Sequence, residues 1–361
     1  MANRSRGAAR VVALCVFAAL LAANPAHALS CLNNDGHSVP WFFTYKLPDG
    51  FNIAYVDSKS TRVTGPLQQY PSALDAASPP ALIQTLEAMG KSSSSSYVLY
   101  NDQPPSKTVG SEYGHSKGVV GVASRSALWI IHSTPHWPLD VGAANQWDFP
   151  STETIYGQTF MCITLGSNDV DTVAKQLLYI RPYVYASTLT PAFTAKYPTL
   201  ASVVDGSAWV LDAGSSVATL HVGSSSSSVT ATHLAKNAKW DNDLYEHLVA
   251  PHFDADLLVE SWMRGEELGP YCKPTYPYDV TDVETLIMAP PVGSHASNTT
   301  WKETQDHSKW CVSPVKGPLV CVADENRMTS QRKRGGGALC FTFSVPLYRQ
   351  LMLTINTAAQ C

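Results

Sequence analysis

Apolar and polar residues alternate in short runs along most of the chain, and short runs bounded by turn residues are the mark of strands. Residues 42–47 read as a buried strand that ends on the turn Pro48-Asp49-Gly50, and residues 53–57 as a second. Residues 97–100 are a further strand, leading into the polar group Asn101, Asp102 and Gln103. Residues 119–123 and 128–131 read as the arms of a hairpin turned at 124–127. The second half of the chain repeats the device, with arms at 309–313 and 319–323 around a turn at 314–318. Helical spacing is predicted over 80–89, with proline in the first turn and Gly90 behind it, and again over 169–179 and 240–249. Residues 206–220 look like strand and turn. The serine runs 92–96 and 224–228 read as solvated loops, and the basic, glycine-rich stretch 331–337 as a mobile one. Helices among strands give the α/β class, and two similar hairpins predict two related modules. The boundary falls near residue 190, giving halves 29–190 and 191–361.

The first 28 residues stand apart. Arg4, Arg6 and Arg10 precede an apolar run over 11–23, and Ala26-His27-Ala28 is a small-residue cleavage site. That is the pattern of a secretory signal, too short and wrongly flanked for a membrane span. Elsewhere no stretch is long and apolar enough to cross a bilayer, so the mature chain is expected to be exported and free of the membrane. The compartment would be periplasmic or extracellular in a bacterium, and lysosomal or secreted in a eukaryote.

Removing three arginines from 25 basic side chains leaves 22 against 29 acidic ones, a formal charge of −7. A protein that coats nucleic acid is usually basic, so only a focused positive site is compatible with an anionic ligand. Ten histidines remain, and protonating all of them would bring the formal charge to +3. A polyanion would then bind better in acid. Seven cysteines remain at 31, 162, 272, 311, 321, 340 and 361, and in an exported chain they are expected to form bridges. The odd count leaves one free or paired between chains, and composition does not give the pairing.

The candidate chemistry is a repeated triplet. His115-Ser116-Lys117 lies in the first half and His307-Ser308-Lys309 in the second, 192 residues on. On an extended strand, residues two apart face the same way, so each copy offers an imidazole and an ammonium to one ligand, with its serine turned away. Together the copies would set two imidazoles and two ammoniums around one anion, which suits phosphodiester cleavage. Each hairpin also returns a polar group to the mouth: His132 across from Lys117, and Asp324 to Asn326 across from His307 and Lys309. One such triplet is a weak signal; two copies with matched returns are a much stronger one.

Two H-x-K triplets in one chain resemble the phospholipase D superfamily. Several segments narrow the resemblance to deoxyribonuclease II: Trp41-Phe42-Phe43-Thr44-Tyr45-Lys46-Leu47-Pro48, Leu99-Tyr100-Asn101-Asp102-Gln103-Pro104-Pro105, Tyr156-Gly157-Gln158-Thr159 and, most specifically, Asp306-His307-Ser308-Lys309-Trp310-Cys311-Val312-Ser313-Pro314. The resemblance covers nearly the whole mature chain. It implies two pseudosymmetric phospholipase D-like α/β modules, each a mixed β-sheet flanked by helices, meeting at one active site. It implies acid-active hydrolysis of DNA with no divalent metal or other cofactor, leaving 3′-phosphate and 5′-hydroxyl ends. By the same resemblance His115, Lys117, His307 and Lys309 are catalytic, with His132 implicated. The bridges would be Cys31–Cys162, Cys272–Cys361 and Cys321–Cys340, with Cys311 a free, buried thiol. The superfamily's aspartate a few residues after H-x-K is absent here, so the partner that orients each histidine is open.

On this reading His115 attacks phosphorus to form a phosphohistidine and His307 protonates the leaving 5′ oxygen, although the reverse assignment fits the residues almost as well. Lys117 and Lys309 hold the non-bridging oxygens, with Asn101, Asp102, Asp324 and Asn326 as orienting or phosphate-contacting candidates. Arg327, Arg332, Lys333 and Arg334 form a basic cluster expected to touch the DNA backbone, with little sequence preference. DNA is the expected partner, and the residues leave a homodimer open without requiring one. No H-E-x-x-H, paired C-x-x-C or G-x-S-x-G motif points to metal or serine chemistry, and Trp41, Trp129, Trp137 and Trp262 read as core or rim. The rival readings are a lipid phosphodiesterase of the same superfamily and an exported DNA-binding protein without turnover.

Overall fold

The computed structural model describes residues 28–361, apart from 78–79, 144 and 224–227. The export signal read over 1–28 lies outside the described residues save for Ala28, as does most of the serine run 224–228.

The architecture is mixed α/β, a large and mainly antiparallel sheet with helices on its faces. In the first half the strand Trp41–Lys46 pairs with Asn52–Asp57 on one side and Gln158–Gly166 on the other. From there the sheet continues through Ser126–His132, Lys117–Ala123 and Ser95–Asn101. In the second half Val229–Lys236 pairs with Gly336–Phe341, followed by Val320–Ala323, Trp310–Val312 and Leu257–Glu260. The pair Leu257–Glu260 and Val280–Met288 is parallel, which makes the sheet mixed. Both hairpins expected from the sequence are present.

These strands are apolar at nearly every position because both faces of the sheet are covered. Phe43, Trp129, Ile131 and Ile163 enter one core, while their neighbours Phe42, Leu128, Ile130 and Cys162 enter another on the opposite face. The first of these cores also takes in Val312, Val322, Leu339 and Phe341, so the two halves share it. Trp41 meets Phe341 and Phe343 directly. The helix Ala81–Lys91 covers one face with Leu82, Leu86 and Met89, and Val170–Ile180 covers the other with Val173, Ala174 and Leu177.

Three expectations change. Ser95 and Ser96 belong to the strand Ser95–Asn101 and only the turn before it is loop, because Ser95 pairs Ala123. The helix expected over 240–249 is present but displaced, a π-helix at Tyr245–Val249 running into the α-helical turn Ala250–Phe253, with Asp243 accepting from the Tyr245 and Glu246 N–H groups at its start. The stretch 331–337 is no mobile loop. It is a tight turn, Thr329–Lys333, leading into the strand Gly336–Phe341, and the buried Lys236 ammonium donates to the carbonyls of Gln331, Arg332 and Arg334. Its glycines serve close packing: a Cβ on Gly335 would lie 2.1 Å from the Ile180 carbonyl.

Bridges join Cys31–Cys162, Cys272–Cys361 and Cys321–Cys340, and Cys311 is free and buried. No helix among the described residues is long and apolar enough to cross a membrane.

Candidate active site

His115 stands just before the strand Lys117–Ala123, at the seam between the halves. Its N–H donates to the Gly335 carbonyl at 2.8 Å. Its ring Nδ1 lies 2.9 Å from the carbonyl oxygen of Asp324. A carbonyl only accepts, so Nδ1 carries the proton and the neutral ring presents a lone pair at Nε2. That nitrogen is 4.0 Å from the Asp102 carboxylate, which also binds the Lys117 ammonium and, at 3.0 Å, the Arg334 guanidinium.

His307 is held from the opposite direction. Its N–H donates to the Gly157 carbonyl at 2.8 Å, where a Cβ on Gly157 would fall 2.5 Å from the Asp306 carboxylate. The ring stacks on Tyr156 at 4.2 Å and meets Trp262 edge-on at 4.4 Å. Nδ1 is 3.4 Å from the Gln158 amide nitrogen, and the Gln158 carbonyl accepts from the Ser133 hydroxyl. Beneath the motif, fully buried Asp306 accepts from the Tyr45 hydroxyl, the Trp301 indole at 2.6 Å and the Ser308 N–H at 2.8 Å. The Lys309 ammonium donates to the carbonyl of His307 at 2.6 Å. Each histidine is thus oriented by residues of the other half.

The two triplets lie within electrostatic reach of each other. Burial lowers the pKa of His115 well below its usual value; Asp102 opposes this, while Lys117, Lys309 and Arg334 add to it. Burial, then Lys309, Lys117 and His115, lower His307 to about 2. Each imidazole therefore feels both ammoniums, its own and the other copy's. Lys309 is lowered to about 7, first by burial and then by Lys117, against the pull of Asp102, Asp306 and Asp324. Burial pushes Asp102 up, but Lys117, His115 and Arg334 outweigh it and hold the carboxyl well below the usual range. A cavity of about 430 Å³ opens over His115, walled by Lys107, His136, Trp262, Asn326 and Arg334. Of the two triplets His115 opens on this cavity, and an imidazole beside ammonium and guanidinium groups is equipped for phosphoryl transfer.

The deoxyribonuclease II profile matches residues 30–361. The chain belongs to the deoxyribonuclease II family. It is 34% identical to deoxyribonuclease-2-alpha of Rattus norvegicus over 333 residues, covering 88% of this chain and 90% of the relative. It is 30% identical to plancitoxin-1 of Acanthaster planci, covering 91% of each, and 30% identical to deoxyribonuclease-2 of Caenorhabditis elegans, covering 88% and 90%.

In this chain Asp102 joins His115 and Lys117, and Lys309 holds the backbone of His307. Asp324 acts at a different place from that expected: its carbonyl holds His115 of the other half, while its carboxyl, raised to about 7 chiefly by burial, accepts from the Gly337 N–H. Asn326 is buried and borders the cavity. Asn101 does not reach it; its amide donates to the carbonyls of Thr134 and Trp137 and accepts from the Gln103 N–H, so it ties a loop. His132 is buried behind Lys117 among Trp137 and Phe160, with Nδ1 accepting from the Thr134 N–H. Burial, and then Lys117, lower its pKa.

The basic cluster divides. Arg327 is fully buried in ion pairs with Glu246 and Asp282 and is not available to DNA. Arg334 faces the catalytic cavity. Arg332 donates to the Asp241 carbonyl, and Lys333 is exposed. Cys311 sits in the strand beyond Lys309, where burial pushes its thiol up and leaves it inert. The sequence alone does not mark Tyr156, Gln158 and Trp262 as site residues, although Tyr156 and Gln158 lie in one segment of the resemblance, because only the fold brings them to His307.

Proposed function

We propose that the chain cleaves DNA in acid, without a metal, through a phosphohistidine on His115, leaving 3′-phosphate and 5′-hydroxyl ends. The family sets the class: it is a DNA-hydrolysing endonuclease. The observation that carries the finer reading is the Asp324 carbonyl on His115 Nδ1, which leaves a lone pair at Nε2 in a cavity flanked by cations.

In the first step Nε2 attacks phosphorus, the bond to the 5′ oxygen breaks, and protonated His307 gives that oxygen its proton. In the second, water attacks the phosphorus, His307 takes the water's proton, and the P–N bond breaks to release the 3′-phosphate. Lys117 and Lys309 hold the non-bridging oxygens and offset charge as it develops. Acid dependence follows from two groups. Lys309 gains its charge as pH falls through about 7. His307 is neutral in the empty site, and a bound phosphodiester supplies the negative charge that supports its protonation. Metal independence belongs to the same proposal: Lys107 and Arg334 on the cavity wall supply positive charge to the phosphate.

The division into halves 29–190 and 191–361 is part of this reading, supported by the recurrence of one antiparallel strand order around each triplet. Three disulfides fit an exported protein, with periplasm, extracellular space or lysosome as destinations. Both triplets lie in one chain, so a homodimer adds nothing that the chemistry needs.

The test is digestion of plasmid at acid pH in excess chelator, with analysis of the ends. Scission to 3′-phosphates supports the proposal. Scission that requires divalent metal, 5′-phosphate ends, or release of lipid headgroups from phosphatidylcholine vesicles without DNA scission would overturn it.

A further inference from the structure

Among the described residues, Trp262 is the one large aromatic side chain on the wall of the cavity over His115. It is half-buried, its indole N–H donates to the Thr304 carbonyl at 3.3 Å, and Tyr156 meets it edge-on at 5.9 Å. Those contacts fix the ring. Its neighbour Arg264 is exposed and lies over both Trp262 and Tyr156, at 5.6 and 5.7 Å. The site therefore combines two kinds of group. Lys107 and Arg334 are the cations that line the cavity with His115, and Trp262 stands beside His307 with a guanidinium at its rim.

A rigid, partly open indole next to an exposed arginine is the arrangement that takes a nucleobase by stacking and the adjoining phosphate by charge. We propose that Trp262 and Arg264 form a stacking subsite for the base of the nucleoside that departs with the 5′-hydroxyl. The choice of nucleoside rests on the proposed roles, in which His307 protonates that nucleoside's oxygen; Trp262, the cavity-wall ring in contact with His307, then lies beside its base. The subsite needs a base whose face is open, so it favours single-stranded or locally unstacked DNA.

The experiment uses the full mature protein and single-stranded oligodeoxynucleotides carrying one abasic residue, with every cut mapped by end-labelling. In the wild type, cleavage at the linkage on the 5′ side of the abasic residue should fall about tenfold or more relative to the other linkages, the effect of losing one stacked base. Trp262→Ala should flatten that dip and Trp262→Phe should keep most of it. Arg264→Ala should weaken KM at every linkage and leave the dip in place. Even cutting by the wild type would overturn the subsite. So would a dip confined to the 3′ side of the abasic residue, or a Trp262→Ala enzyme that is uniformly slower in kcat with its dip intact, which is how a residue that only positions His307 behaves. Failure of the nuclease reading looks different: the wild type would then cut no linkage at all.

Discussion

The two catalytic histidines share a triplet and differ in what holds them. His115 leans on a backbone carbonyl, which accepts and never donates, so one tautomer is locked. His307 leans on the Gln158 amide, which turns either a donor or an acceptor toward Nδ1, and the Ser133 hydroxyl behind it suits both settings. A nucleophile needs one unvarying lone pair. A group that gives a proton in one step and takes one in the next needs a partner tolerant of both charge states. The difference supports the proposed roles, which the repeated triplet alone leaves interchangeable.

Leaving-group chemistry tests that assignment with the largest effect. His115→Ala and His307→Ala should each cut turnover on DNA by about 10²–10⁴-fold or more. On a nitrophenyl phosphodiester, whose leaving group needs no proton, His307→Ala should recover most of the first-step rate and accumulate phosphoenzyme, while His115→Ala should stay inactive. Equal recovery in both variants would remove the distinction.

The seams come next. Gly335→Ala drives a Cβ into the Ile180 backbone beneath His115, and Gly157→Ala drives one into Asp306 beneath His307. A shift of about 1 Å at either histidine should lower kcat about 10²-fold. Only the Gly157 variant should regain activity on the nitrophenyl substrate.

Gln158→Glu sets a carboxylate beside His307 Nδ1 and favours the imidazolium. The alkaline limb of the pH profile should move up by about one unit, measured from kcat against pH, whereas a change confined to KM would argue against the contact.

The smallest expected effect is on stability. His307 falls from an ordinary value of about 6.5 to about 2 on folding. Between those values the unfolded chain takes up a proton that the folded one refuses. This residue's contribution is intact above about pH 6.5 and is lost as pH falls toward 2. In urea melts, His307→Gln should gain on the wild type between pH 7 and 4, and inorganic phosphate should narrow the gap by supporting the imidazolium.

Much of this was legible in the sequence. The apolar runs around 42–47 and 119–131 gave strands because residues buried on both faces leave little ambiguity, and the two triplets marked the catalytic centre. The wiring between halves was not legible. Spacing along a hairpin put Asp324 across from His307 and Lys309, and the Ala323 N–H does meet the Lys309 carbonyl, yet the Asp324 carbonyl serves His115, 209 residues away in sequence. Nor does charge in a sequence report burial. Arg327 looked like part of a DNA-binding cluster, but Glu246 and Asp282 enclose it. The glycines at 335–337 suggested mobility, but they permit backbones to touch.

The crossed supports of His115 and His307 have a cellular consequence. A chain that has folded only one half carries imidazoles with nothing to aim them, so cutting power arises late, when both halves have closed on each other. For a DNA-destroying enzyme made in a cell that carries a genome of its own, late assembly is a form of restraint.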